Sequence, residues 1–381
     1  MDFKDLARFQ DWMSDEWRIP GSSAVGYVGG REVYRHSSGY ADIEERRPMT
    51  GDELMFMYSI TKTITSLCGL QLLEKGLFHL NDGLDYYMPE FRDVNVKHRL
   101  PDGTEEIRPA ENYIRVRDVF TMTSGYDYTT ETEAVNALKD GDGNISTADM
   151  AKGLARSPLC FEPGEKWCYG MSHDILGAFI ERLTGERFAD YVQKNVFDPV
   201  GMKNSYFHLP KEEFESKAAT QYSFSDVKCA AEKIPLTNFS VFGDEYDSGG
   251  AGLISTVPDV ALYAATLARG GVTLSGERII TKASIDLWRT NCLNEAQMRS
   301  YDWDTLSGYG YGLGVRTHID KAKSGSLSPL GEFGWTGAAG GFMMVDPDND
   351  VAFYYAHHML NNQEYFTNPR LRNLFYACLE K

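Results

Sequence analysis

Apolar and polar positions change rhythm several times along the chain. At the N-terminus, "MDFKDLARFQDWMSDEW" places Phe3, Leu6, Phe9 and Trp12/Met13 at helical spacing. Alternation follows. "SSAVGYVGGREVYRHSSGYAD" turns about Gly29-Gly30 and predicts a hairpin with strands near 23–28 and 32–40. "MFMYSITKTITSLCGLQLLEKG" (55–76) is apolar on most sides and predicts a buried helix starting at Ser59. Residues 81–110 are turn-rich and irregular. "IRVRDVFTMTSG" (114–125) predicts a short buried helix closed by Gly125. Helical periodicity returns at 146–157, 172–184, 187–196 and 257–270. The last third goes back to strands in "YGLGVRTHI" (311–319), "GFMMVD" (341–346) and "VAFYYAHH" (351–358). The last two are joined by the turn "PDND", and a final helix runs from about 368 to 379.

Strands thus lie at both ends of the chain and helices fill its middle. The expected class is α+β: an antiparallel sheet built from both chain ends and flanked by helices, plus an inserted, mostly helical lobe. Residues 1–85 and 300–381 would form the sheet domain and 86–299 the helical one, with a site in the cleft between them. The chain has 381 residues, 42% of them hydrophobic, enough for a sizeable core. Its net charge of -17 repels phosphate, which argues against nucleic acid and anionic membrane surfaces as partners. No run approaches about 18 consecutive apolar residues, so no membrane-spanning helix is expected. The start lacks a basic segment followed by an apolar block, so a cytoplasmic location is expected. Six scattered cysteines form no Cys-x-x-Cys pair and no zinc spacing, and are read as reduced thiols.

One feature of the 55–76 helix is out of keeping with a core. It opens on a serine and carries a lysine one turn in. Three helical residues advance about 300°, so Ser59 and Lys62 share a face. A serine hydroxyl needs an adjacent base to become a nucleophile. A lysine can serve if burial and the helix dipole lower its pKa. The Ser59 N–H at the helix start would face a developing oxyanion. A capping serine beside a snorkelling lysine gives the same spacing. Ser225–Lys228 repeats that spacing, but no long apolar helix follows, so it is read as surface.

Two later stretches bear on the choice. In "FEPGEKWCYGMSHDILGAFIERLTG" (161–185), a Pro-Gly turn and an aromatic run lead to Tyr169 beside an amphipathic helix. Its hydroxyl, bonded to Lys62, would relay the serine proton to the leaving group. The chain has 22 tyrosines, and only context singles this one out. In "GEFGWTGAAGGFMMVD" (331–346), Trp335-Thr336-Gly337 sits on a strand and is followed by small residues that let a substrate lie against the backbone.

Taken in order, these stretches resemble the serine hydrolases that include class C β-lactamases, DD-peptidases and the β-lactamase-like carboxylesterases. "IRVRDVFTMTSG", "VFDPVGMKNSYF" (196–207) and "SGGAGLISTVPDVALYAATL" (248–267) extend the likeness over roughly residues 10 to 360. The resemblance implies Ser59 as nucleophile and Lys62 and Tyr169 as base and proton relay. It implies an oxyanion hole made of the backbone N–H groups of Ser59 and Ala338. The chain departs from the β-lactamase pattern twice. Tyr-x-Asn becomes Tyr169-Gly170-Met171, and the Lys or His before Thr-Gly becomes Trp335. An indole offers one neutral donor and does not hold a substrate carboxylate. Trp335, Thr336, Gly337 and Met171 are therefore expected to contact a neutral substrate. The expectation is a carboxylesterase, or an acyl transferase, on small neutral esters. The alternatives are a β-lactamase or D-amino-acid peptidase or amidase, and a non-catalytic binding module on the same fold.

Other signals carry less. "LKDGDGNISTAD" (138–149) resembles a calcium loop but has Leu138 where its first carboxylate belongs, so it is read as a polar linker. His357-His358 ends a strand and is read as packing. No metal site and no cofactor are implied. The expected partner is a small-molecule ester or amide, and oligomeric state is not legible.

Overall fold

The computed structural model describes residues 1–381. Its main sheet has eight antiparallel strands drawn from both chain ends. In spatial order they are Tyr309–Tyr311, Arg316–His318, Phe333–Gly334, Phe342–Asp346, Val351–His357, Gly21–Val28, Arg31–Asp42 and Arg47–Pro48. The chain ends meet at the centre, where Ser22 pairs with His357 and Val28 with Val351. Gly29 and Gly30 have φ of 58° and 68°, the left-handed pair that a tight two-residue hairpin turn needs.

The strand "VAFYYAH" reads as continuously apolar because both faces of the sheet are covered. Val351, Phe353 and Tyr355 point to one core, with Leu6, Met13, Leu371 and Phe375 of the terminal helices Lys4–Asp15 and Glu364–Leu379. Ala352, Tyr354 and Ala356 point to the other, with Val260 and Ala264 of the helix Val257–Ala268. That helix was expected in the helical lobe. It packs on the sheet instead, and its small residues, Ala261, Ala264 and Ala265, suit a close approach.

The helical lobe is built around Thr61–Glu74, whose residues 61–72 are all buried. It packs on Ser172–Thr184, which in turn touches Val116–Phe120 and Thr147–Ala155. One apolar cluster runs from Val25 and Tyr354 to Phe120, Leu154 and Ile175, so the lobes share a core.

Three elements differ from expectation. Residues 81–110 contain a hairpin, Asn95–Arg99 with Glu105–Pro109. Its strands are largely exposed and charged, which leaves no apolar alternation to read. The 311–319 strand is a hairpin, Tyr309–Tyr311 with Arg316–His318, broken at Gly314 with φ of 95°. The 187–196 helix is short, Phe188–Val192, and widens into a π turn over Gln193–Phe197. No helix is long and apolar enough to cross a membrane.

Candidate active site

Ser59 is not the first residue of an α-helix. It lies in a 3-10 turn, Tyr58–Ile60, and the α-helix begins at Thr61. In that tighter turn residues three apart eclipse, so Ser59 and Lys62 still point the same way. The residue before the serine, Tyr58, has φ of 46°, a left-handed conformation that costs a non-glycine about 1–3 kcal/mol. Tyr58 is 1% exposed, and its hydroxyl accepts from Gln221 Nε2 at 3.2 Å. Buried ring and bonded hydroxyl together hold the strained turn, and Ser59 is left half-buried on a cavity wall.

Lys62 is fully buried. Its Nζ lies 3.3 Å from Ser59 Oγ, 3.1 Å from Tyr128 Oη and 2.8 Å from the Gly250 carbonyl oxygen. Three partners match the three donors of an ammonium. The sequence favoured a lowered lysine pKa. Burial does pull it down, but Tyr128, Tyr169 and Asp174 more than offset burial and hold Lys62 above its usual range. Asp174 is itself buried, and its Oδ1 accepts from Tyr246 Oη and Ser248 Oγ, each at 2.7 Å, and from the Gly250 N–H at 3.3 Å.

Tyr169 lines the same cavity, three residues before the helix Ser172–Thr184. The expected hydroxyl bond to Lys62 is not formed. Lys62 Nζ sits 4.6 Å from the centre of the Tyr169 ring, and the Tyr169 hydroxyl accepts from Trp335 Nε1 at 2.7 Å. Tyr128 takes the place at Lys62 that was assigned to Tyr169. No pattern in "SGYDYTT" marks Tyr128 among the other tyrosines. Gly250, by contrast, lies in the "SGGAGL" stretch that already stood out.

The cavity has a volume of 320 Å³, at the low end for a small-molecule site. Met171 and Ala338 line it as expected, with Phe239 and Phe242 adding aromatic surface. Trp335, Thr336 and Gly337 do not line it. Trp335 is 2% exposed and stands behind Tyr169. Gly337 packs on the Ser59 turn, where an added Cβ would fall 2.5 Å from the Met57 carbonyl oxygen. The N–H groups of Ser59 and Ala338 donate to no group of the protein, as an oxyanion hole requires.

The remaining candidates lie elsewhere. Ser225 and Lys228 occupy an exposed hairpin turn, where Lys228 pairs with Glu232. Asp140 accepts from the N–H groups of Asp142 and Asn144 within its own loop. His357 and His358 are buried, and burial pushes their pKa values down to about 3 and about 4.

A serine and a buried lysine in contact, a tyrosine facing the same cavity and two free backbone donors define a serine hydrolase of the penicillin-recognising fold. The profile of the Beta-lactamase family matches residues 9–377, and the chain belongs to that family. Esterase EstB of Burkholderia gladioli is 29% identical, over 87% of this chain and 84% of that protein. Acyltransferase calJ of Penicillium decumbens is 26% identical, over 91% and 85%. Among solved structures, EstCE1, described as a hydrolase with promiscuous acyltransferase activity, superposes with a TM-score of 0.79 at 23% identity. That match covers 99% of this chain and 98% of the other.

Proposed function

We propose that the protein is a carboxylesterase that cleaves small neutral esters through a Ser59 acyl-enzyme. Once the Lys62–Tyr128–Tyr169 group has given up one proton to solvent, it takes the proton of Ser59 Oγ as that oxygen attacks the ester carbonyl. The oxyanion is received by the Ser59 and Ala338 N–H groups, and the proton returns to the departing alcohol. Water then repeats the sequence on the acyl-enzyme. An alcohol in place of water makes the same chemistry an acyl transfer, in keeping with the names of calJ and EstCE1.

The observation that carries the neutral-ester reading is the absence of a free charge in the cavity wall. Its one carboxylate, Asp174, is tied by three donors, and Lys62 behind the wall is tied by three acceptors. Nothing is left to hold the carboxylate of a β-lactam or a D-alanyl peptide. Six unpaired cysteines favour a reducing compartment, the basis for placing the protein in the cytoplasm.

The test is hydrolysis of p-nitrophenyl acetate and butyrate by the wild type beside Ser59→Ala, with nitrocefin as a parallel substrate. Ester turnover by the wild type alone is expected. Equal turnover by both proteins would remove Ser59 from the mechanism. Good nitrocefin turnover with negligible ester cleavage would move the protein to the β-lactamase side.

A further inference from the structure

The turn that carries Ala338 is held from outside the sheet. Gly337 N–H donates to the Gly341 carbonyl at 2.7 Å and Gly340 N–H to the Gly337 carbonyl at 2.9 Å. Met359 N–H donates to the Ala339 carbonyl at 3.2 Å. The Asn362 side chain then donates one N–H to the Gly337 carbonyl oxygen at 3.1 Å and the other to the Ala338 carbonyl oxygen at 3.0 Å. Its own carbonyl oxygen accepts from the Glu364 N–H at 3.0 Å, which fixes which end of the amide faces the turn. Asn362 lies between two left-handed residues, Asn361 with φ of 51° and Gln363 with φ of 57°. The backbone is bent there to present this amide.

The Gly337 carbonyl and the Ala338 N–H belong to one peptide unit. No peptide in the chain is cis, so the C=O and N–H bonds point to opposite sides of one rigid plane. Drawing the Gly337 oxygen toward Asn362 therefore turns the Ala338 N–H the other way. Ala338 lines the cavity, and its N–H has no acceptor within the protein. A second anchor at the Ala338 oxygen stops the next peptide from flipping. We propose that Asn362 is a positioning residue that aims the Ala338 N–H at the oxyanion of the tetrahedral intermediate. It touches neither substrate nor Ser59 and acts through the backbone alone. The assignment rests on the Ser59 acyl-enzyme reading.

A misaimed donor weakens the transition state more than the ground state, so the signature is a split between kcat and KM. For Asn362→Ala, kcat on p-nitrophenyl butyrate is expected to fall about 10- to 100-fold, somewhat less than loss of a whole donor. KM should stay within about twofold. Affinity for a short alkyl boronic acid, whose tetrahedral adduct places an oxygen in the hole, should fall by the same factor as kcat. Asn362→Ser, which keeps one donor, should recover part of both. Rates are taken per active site, titrated with a p-nitrophenyl phosphonate, so misfolded enzyme is not counted. If Asn362→Ala does not fold, Asn362→Ser alone must still show the parallel loss in kcat and boronate affinity. Per-site kcat and boronate affinity both within twofold of wild type overturn the proposal, as does a rise in KM with kcat unchanged. Failure of the underlying reading looks different: Ser59→Ala then turns over like the wild type, whatever Asn362 does.

Discussion

Trp335→Phe separates two roles for the residue that departs from the β-lactamase pattern. If Trp335 contacted substrate, its loss would show mainly in KM. In the structure it is a buried donor to the Tyr169 hydroxyl at 2.7 Å, and the loss should show in kcat. Phenylalanine retains most of the packing against Tyr169, Tyr311 and Trp303 but removes the only N–H. A neutral hydrogen bond of this kind contributes about 0.5–1.5 kcal/mol net, or about 2- to 13-fold in rate. A hydrogen bond to a charged oxygen contributes about 1.5–3 kcal/mol, or about 13- to 160-fold. The size of the effect therefore reports whether the Tyr169 oxygen carries negative charge in the transition state.

The expected result is a fall of at least about tenfold in kcat/KM, carried by kcat, because a proton relay must pass through an anionic or partly anionic oxygen. The assay is steady-state hydrolysis of p-nitrophenyl butyrate, normalised to sites titrated by a phosphonate. The smaller ring also leaves a void, so the melting temperature should drop by a few degrees, consistent with about 1–2 kcal/mol. Phosphonate titration keeps that loss out of the rate. A Trp335→Phe enzyme with kcat unchanged and KM raised would refute the reasoning and return Trp335 to the substrate pocket.

The charge state of Lys62 predicts the pH dependence. Its pKa is held above the usual range, so the group must lose a proton that it keeps at neutral pH. The competent fraction then grows with pH by up to about tenfold per unit, and kcat/KM should rise from pH 6 to 9 without levelling, after subtraction of the Ser59→Ala background. A plateau with an apparent pKa below about 8 would show that Lys62 is lowered after all. Gly337→Ala tests the contact between the Ala338 turn and the Ser59 turn. Its Cβ would fall 2.5 Å from the Met57 carbonyl oxygen, which forces the two oxyanion donors apart. A displacement approaching 1 Å costs about 100-fold in turnover, to be measured beside circular dichroism that stays native. A Gly337→Ala enzyme with wild-type kcat would show that the two donors are not coupled through this contact.

What could be read from the sequence follows from the distance along the chain over which each feature is fixed. Ser59 and Lys62 are three residues apart, and any helical or 3-10 geometry puts them together. Tyr169 and Ala338 are tied to local turns whose residues are visible as motifs. The central strands were legible because alternation, or its loss under double coverage, is written residue by residue. The groups that set the chemistry of Lys62 have no such local mark. Tyr128 lies 66 residues from Lys62 and Gly250 lies 188 away. Asp174 is bonded by Tyr246, Ser248 and Gly250 of a separate loop, and of these only Gly250 also touches the lysine. Burial alone was visible in the apolar run around Lys62, and burial alone lowers a lysine. The opposing groups are brought together only by the folded chain, which is why the sequence by itself points to a lowered pKa and the structure to a raised one. The same holds for Trp335. Sequence shows that the cation is gone, and only the fold shows that the indole N–H is bonded to the Tyr169 hydroxyl. Losing the cation removes a recognition element for carboxylates, and the same residue places an N–H donor on the Tyr169 hydroxyl. A Trp335→Phe variant, which restores no cation, should therefore lose esterase activity without gaining comparable turnover of nitrocefin.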